Sequence, residues 1–443
     1  MEDRENRSQL RCGIKLRFST RIVIFSGKAN RLNVSRDVRR ETRNEKRFTG
    51  EGWRKGVLPL EAKTWSPNTW LRVFRLRIRR LPDGEKNFIA IMKTNIAALA
   101  FDKMNRKTKP PGSLGVLESV AVRLADLQQN LEPKLSKKRI CVYAGTHGVT
   151  AEGVSAYPSE VTGQMVLNFL SGGAAINVLA RHAGIDIHII DAGVDADWPD
   201  ILLKQRQFFY RAVRRGTSNF FQEPAMTRVE CEQALDVGRE QVQAAMRDGI
   251  DLLGIGEMGI GNTTAAAALF VALCGLTPEE AVGRGTGIDD STLRRKIEVV
   301  AAALERSAPH CSEPAGLYWL HVVGGFEIAA MAGTLLEAAK ARLPVVVDGF
   351  IATAAAAAAF NIDQRCRDIC FFSHRSGEQA HGKALEALKV EPLLDLKMRL
   401  GEGTGAALAM PILEAAAKIL CEMATFESAG VSDHTLRTPN AEG

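Results

Sequence analysis

Five short segments are apolar on both faces, and nothing else constrains the fold so much. They are residues 139–144 (RICVYA), 186–191 (DIHIID), 251–255 (DLLGI), 344–347 (PVVV) and 368–372 (DICFF). A strand with no polar face must be covered on both sides, and parallel strands joined by crossover helices meet that demand. The stretches between them carry helical spacing. Leu117, Ala121, Leu124 and Leu127 form one stripe of a helix expected over 114–127, with Ser113 as its N-cap. This alternation predicts an α/β fold: a parallel, doubly wound, Rossmann-like sheet that binds ligands at the carboxyl ends of its strands. The helical pieces at the two ends of the region have no strands between them and are expected to form a small helical domain. No repeat of fixed period occurs.

Charge divides the chain. Residues 1–91 hold 23 Lys and Arg against 10 Asp and Glu, and the remainder holds 35 against 41. The net charge of +7 thus averages a basic extension and an acidic body. The extension contains Arg clusters at 36–40 and 72–80 and three of the five tryptophans, Trp53, Trp65 and Trp70, with no sustained period. Three readings of it stand. Clustered Arg with interleaved aromatics suits a nucleic-acid-binding arm. A targeting segment is a second reading, against which its acidic residues count. The third is a leader ahead of a native start at Met92, and it is the expectation adopted here. The organisation expected is then an extension over 1–91, one domain over 92–430 and a tail over 431–443.

With 46% hydrophobic and 25% charged residues, the composition excludes a disordered, collagen-like or disulfide-stapled chain. No run of about 18 uncharged apolar residues occurs, so no membrane partner is expected. Eight cysteines without a CxxC pair point to a reducing compartment, the cytoplasm, and away from zinc or a disulfide framework.

The chemistry-bearing residues follow the strands. After the strand at 251 comes Gly254-Ile-Gly256-Glu257-Met-Gly259-Ile-Gly261-Asn262-Thr263-Thr264 and an alanine-rich helix. The literal GxGxxG is a decoy for a dinucleotide site, because Glu257 lies inside it and would repel a pyrophosphate. A single phosphate fits better: glycines let backbone N–H groups approach, the helix N-terminus attracts the anion, and Asn262 and Thr263 add donors. A second loop at 283–290 precedes a helix bearing Arg294, Arg295 and Lys296, one of which could reach the same phosphate. Basic residues on a helix also commonly just face water. In a third loop, Arg399-Leu-Gly401-Glu402-Gly403-Thr-Gly405, glycines flank a glutamate and so present its carboxylate to a close-approaching ligand. The helix that follows is expected to bend at Pro411. Glu402 also reads as a helix-start acid. Ser376 and Gly377 are further phosphate or ribose candidates after a strand, and His147, without an evident carboxylate partner, reads as structural. No HExxH, DxDxDG, GxSxG or Walker pattern occurs.

Together these loops resemble one family, nicotinate-nucleotide–dimethylbenzimidazole phosphoribosyltransferase. The resemblance runs through KPPGSLG at 109–115, AGTHGV at 144–149, EGVSAYP at 152–158, Val161-Thr162 and Gln164-Met165, then 256–264, 283–290, 373–378 and 399–405. The matches are in order and span 92 to about 420; the basic extension has no counterpart, and Thr146 stands where the family often has Asp. The resemblance implies transfer of 5-phosphoribose from nicotinate mononucleotide to 5,6-dimethylbenzimidazole, with no metal and no cofactor. It implies Glu402 as catalytic base and Glu257 as a second active-site carboxylate. Gly259, Gly261, Asn262, Thr263, Lys296, Ser376, Gly377, Arg399, Gly401, Tyr157 and Gln164 are the implied substrate-binding residues. It further implies a homodimer; neither a membrane nor a nucleic-acid partner is expected.

Two rivals stay open. A nicotinamide-dependent oxidoreductase would need a ribose-binding acid about 20 residues beyond the glycines, where only Glu279 and Glu280 stand. The other is a non-enzymatic azole or nucleotide sensor whose basic arm binds nucleic acid.

Overall fold

The computed structural model describes residues 95–285, 287–307 and 313–432. The basic extension, the proposed start at Met92 and nearly all of the tail lie outside them.

The seven strands are β1 (Lys138–Gly145), β2 (Asp186–Gly193), β3 (Phe208–Tyr210), β4 (Leu252–Met258), β5 (Val345–Val347), β6 (Cys370–His374) and β7 (Pro392–Leu394). All pair in parallel, in the order β3-β2-β1-β4-β5-β6-β7. The five apolar segments are β1, β2, β4, β5 and β6. The two edge strands β3 and β7 are three residues long and only partly buried, which left no periodic signal.

Side-chain alternation along the pleat assigns the two faces. Tyr143 of β1 hydrogen-bonds Thr334 Oγ1 at 2.6 Å, so its face meets the helix Phe326–Ala341, which packs along the helix Arg228–Asp248. Ile140 and Gly254 face the other way, against Met410 and Ala406 of the helix Thr404–Glu422. That helix is long and apolar enough by composition to cross a membrane, yet about half of it is buried in the protein, against β4 to β6 and neighbouring helices. Pro411 lies inside it, on its exposed side.

The helices Ile96–Asn105 and Val116–Gln128 pack on each other and on Thr404–Glu422, so the two ends of the body meet. Ser113 does not cap the second of these. Its N-cap is Gly115, with φ of 55°, and no side chain bonds the cap. Glu118 instead reaches back to accept from the N–H groups of Gly112 and Leu114 at 3.2 and 3.0 Å, with Lys109 Nζ 2.7 Å from one of its oxygens. A carboxylate in the first turn of the helix thus takes the place expected for the serine.

The strand order reverses between β1 and β4. Connections leave these neighbours toward opposite sides, so a crevice opens beyond their carboxyl ends. The candidate residues that reach this crevice come from the last residues of β4, from loops at that end of the sheet and from the helices Asn262–Cys274, Asp290–Arg306 and Phe326–Ala341.

Candidate active site

The turn carrying Glu402 is left-handed at three consecutive residues: φ is 83° at Gly401, 63° at Glu402 and 86° at Gly403. Glycine takes this conformation freely, but a side-chain-bearing residue there costs about 1–3 kcal/mol and must be held. The hold comes from the backbone on one side and from an acid on the other. Glu402 N–H donates to the carbonyl of Glu257 at 3.2 Å, and Asp348, at the end of β5, accepts from Gly403 N–H at 3.0 Å and Ala406 N–H at 3.1 Å. Close approach is possible because Gly256 of β4 lies directly against the Gly403 backbone, where a Cβ would collide.

The Glu402 side chain is thereby pressed inward, with the residue 5% exposed and Oε2 buried without a hydrogen-bond partner. Burial raises its pKa to about 7; a backbone N–H from Ile176 opposes the rise, and the charge of Asp348 adds to it. Ile176 stands in the first turn of the helix Ala175–Ala183. Burial thus outweighs the helix N-terminus, and the N–H that opposes it belongs to a helix other than the one Glu402 precedes.

Glu257 stands beside Tyr143 in register, one residue before β4 ends. It is 5% exposed and accepts from the amide of Asn262. Burial holds its carboxyl well above the usual range; Asp348, Glu327 and Glu402 push the same way, against the Asn262 hydrogen bond. Asp348 is also raised by burial, countered by His374 and by the N–H groups of Ala406, Gly403 and Gly405. Four acids from four separate segments thus share one crevice.

Two of them, Asp348 and Glu327, escaped the sequence reading. Asp348 had a signal, as the acid that ends an apolar strand. Glu327 had only its place at a helix start after Gly324-Gly325. It also corrects the reading of His147, which does have a carboxylate partner: Nε2 lies 2.7 Å from Glu327 Oε1, both side chains wholly buried.

The anion end of the crevice begins where β4 stops. Gly261, at φ of 94°, caps the helix Asn262–Cys274; the N–H groups of Asn262 and Thr264 donate to the carbonyls of Gly259 at 3.1 Å and Gly261 at 2.9 Å. Thr162 Oγ1 accepts from Ile260 N–H at 3.1 Å and ties the turn to the helix Val161–Ser171. A small pocket here is lined by Gly259, Gly261, Asn262, Thr263, Gly285 and Lys296, among others. Of the three basic candidates on the helix Asp290–Arg306, Lys296 alone turns inward: it is 1% exposed and donates to Thr263 Oγ1 at 2.7 Å. Arg295 is taken by Glu152, and Arg294 is exposed.

Gly254 and Gly256 sit within β4 and not in the turn, where they admit the helix Thr404–Glu422 and the Glu402 loop. This removes the dinucleotide reading of GxGxxG, whose first glycines must shape the turn.

The remaining candidates divide. Gly401 lies against the Glu257 carboxylate. Arg399 Nη1 donates to the Gly285 carbonyl at 2.8 Å. Ser376 and Gly377 reach the same region, but their N–H groups are engaged by His381 Nδ1 and the Met398 carbonyl, both at or below 2.8 Å. Tyr157 and Gln164 are exposed, outside the buried cluster.

A parallel sheet whose switch-point crevice holds buried acids at one end and a buried lysine over a glycine turn at the other suits an enzyme that handles a phosphorylated sugar. Comparison with known proteins makes this specific. Residues 89–431 match the family described as phosphoribosyltransferase. The chain is 48% identical over 337 residues to the nicotinate-nucleotide–dimethylbenzimidazole phosphoribosyltransferase of Geobacter sp. (strain M21), covering 76% of this chain and 95% of that one. With the protein of the same name from Thermus thermophilus it shares 52% over 346 residues, 77% of this chain and 99% of the relative. The crystal structure of CobT from Thermus thermophilus superposes with a TM-score of 0.72 at 52% identity, over 76% of this chain and 99% of that one. The chain belongs to this phosphoribosyltransferase family.

Proposed function

We propose that the protein transfers the 5-phosphoribosyl group of nicotinate mononucleotide to 5,6-dimethylbenzimidazole, releasing nicotinate and α-ribazole 5′-phosphate for the nucleotide loop of cobalamin. The observation that carries the reading is Glu402: a buried carboxyl with a pKa of about 7 and one oxygen without a partner.

The chemistry asks for little else. The nicotinate ring of the mononucleotide is already a pyridinium, so it leaves without a general acid. The attacking benzimidazole uses one ring nitrogen and must lose the proton on the other. A single base matched to the working pH suffices, and a carboxyl near 7 is such a base. Glu402 Oε2 takes that proton as the nitrogen attacks, inverting the anomeric carbon from β to α. Neither a metal nor a cofactor enters the reaction as written.

Positive charge grows on the ribose as the glycosidic bond breaks. Glu257 is held near its neutral form by burial and by its acidic neighbours. A cationic sugar beside it favours ionisation, so its stabilising charge develops with the transition state and not before it. Asn262 fixes the carboxylate in place. The 5′-phosphate sits in the pocket at the N-terminus of the helix Asn262–Cys274, beside Thr263 and under Lys296.

The enzyme works as a homodimer in the cytoplasm. Exposed Tyr157, Leu396 and Leu400, on loops at the sheet's carboxyl end, support a partner there. Six described cysteines are free thiols, as suits a reducing compartment. Incubation with nicotinate mononucleotide and a panel of bases, read by nicotinate release and product mass, tests the reaction. No release with any benzimidazole refutes it.

A further inference from the structure

Arg284 and Gly285 wall the anion pocket, and two charged side chains from distant segments grip Gly285. Gly285 N–H donates to Glu378 Oε2 at 3.4 Å, and its carbonyl accepts from Arg399 Nη1 at 2.8 Å. Glu378 comes from the loop after β6 and Arg399 from the loop after β7. Ser376 Oγ accepts from Glu378 N–H at 3.2 Å and steadies that segment. Gly283 lies so close to Glu378 Oε2 that a Cβ would collide with it. Lys296 Nζ meets the same loop, donating to the Gly283 carbonyl at 3.4 Å as well as to Thr263 Oγ1. Lys296 and Gly285 line the pocket, and Glu378 stands behind them.

Arg294, on the helix of Lys296, is exposed, and other nearby charges are engaged elsewhere. Arg284 pairs with Asp290 and the Ile288 carbonyl; Asp289 caps its own helix through Thr292 N–H. Arg295 pairs with Glu152 of the short helix Gly148–Glu152 and approaches Glu298, and Glu280 pairs with Lys383. His381 is taken up by Ser376 N–H and Thr353. Burial raises the Glu378 carboxyl, opposed by Lys296, the Gly285 N–H and Arg399, and Glu378 in turn opposes the burial-driven fall of Lys296.

We propose that Glu378 is a positioning residue for the substrate phosphate: from behind the pocket it seats Gly283 and Gly285 and supplies the negative charge against which the Lys296 ammonium is held. This rests on the anion pocket of the proposed reaction and adds a residue to it. Burial brings Lys296 down to about 8 even with Glu378 opposing the fall. Removing the carboxylate lets it fall further, so the ammonium is lost at a lower pH and phosphate binding with it.

The test uses the full chain, with inorganic phosphate and ribose 5-phosphate titrated calorimetrically between about pH 6.5 and 8.5, and with KM and kcat measured for nicotinate mononucleotide. In Glu378→Gln, Kd and KM should rise about twofold near pH 6.5 and roughly tenfold near pH 8.5, a unit of pKa being about tenfold in binding-competent lysine. At saturating mononucleotide, kcat should stay within about twofold of wild type, since Glu378 does not touch the reacting atoms. Glu378→Asp keeps the charge and should keep the wild-type pH dependence. Wild-type affinities in Glu378→Gln overturn the proposal, as does tighter binding, which would make Glu378 a rival anion. An equal loss at every pH overturns the counter-charge role. If the Gln variant melts far below wild type, the Asp variant decides, and an altered pH dependence there overturns the proposal. Phosphate binding by a wild type that releases no nicotinate would sink the proposed reaction while leaving the phosphate titrations to judge Glu378.

Discussion

At one end of the crevice Glu257, Glu327, Asp348 and Glu402 lie together, and the hydrogen bonds they accept come mainly from backbone N–H groups, an amide and one histidine. At the other end a single lysine is enclosed, with a threonine hydroxyl, a carbonyl and one carboxylate nearby. Burial acts on both by the same physics, disfavouring whichever form is charged. It raises Glu402 to about 7 and lowers Lys296 to about 8. The consequences are opposite. A carboxylate that resists ionisation is a stronger base when it does ionise, so the acid end gains function from burial. A lysine that resists protonation is a poorer anion anchor, so the other end needs a counter-charge. The same enclosure is an asset for proton abstraction and a liability for phosphate binding.

Variants at the two ends should separate this difference. The largest effect is expected for Glu402→Gln, which lowers kcat by roughly 10²–10⁴-fold, the range for a general base, with KM for the mononucleotide little changed. Unchanged turnover would remove Glu402 from the mechanism and leave the acid end without a chemical role. Next comes Lys296→Met, which should raise KM for nicotinate mononucleotide by about 10–100-fold, as loss of a charge-assisted hydrogen bond does, at nearly constant kcat. A fall in kcat at constant KM would instead place Lys296 in the chemistry and blur the division between the ends.

A pH profile of wild-type kcat sharpens the acid end without a mutation. Glu402 acts in its ionised form, so kcat should rise through a limb centred near pH 7, by about tenfold between roughly pH 6 and 8. A limb near the ordinary carboxyl value of 4.5 would show that substrate resolvates the site.

The smallest effect is on stability. The native state keeps the Glu402 proton to about pH 7, while the unfolded chain releases it near 4.5. Ionised Glu402 therefore works against folding. That penalty is absent below 4.5, grows as pH rises between the two values, and is complete above 7. Glu402→Gln should accordingly melt about 2–4 °C higher than wild type near pH 8, and the difference should shrink as pH falls through this window and vanish below 4.5. A variant that melts lower at the alkaline end would mean that the carboxylate is better accommodated than its burial implies.

How much of this was legible depended on how local the signal was. β1, β2, β4, β5 and β6 were readable because each buries both faces and carries the pattern in its own residues. β3 and β7 are three-residue edge strands, one beginning at Pro392, and their pairing reflects neighbours more than composition. Glu402 and Glu257 stood out through the glycines around them. Those glycines do different things: Gly401 and Gly403 supply a left-handed turn, whereas Gly256 only makes room for the Glu402 loop. Asp348 and Glu327 looked like ordinary acids at an element boundary. Their importance comes from β1, β4 and β5 being adjacent, although these strands lie far apart along the chain. Lys296 was one of three cations on a helix, and only the packing of that helix chose among them.

What the chain determined by itself was the layered parallel sheet and the shapes of its glycine turns, since covered strands and left-handed backbone follow from sterics and side-chain pattern within a few residues. What only the tertiary structure decided was protonation: which N–H reaches Glu402, which acids raise Glu257, and which carboxylate attends Lys296. Electrostatic energies depend on distance and enclosure in space, and those are set by the pairing of segments far apart in the chain.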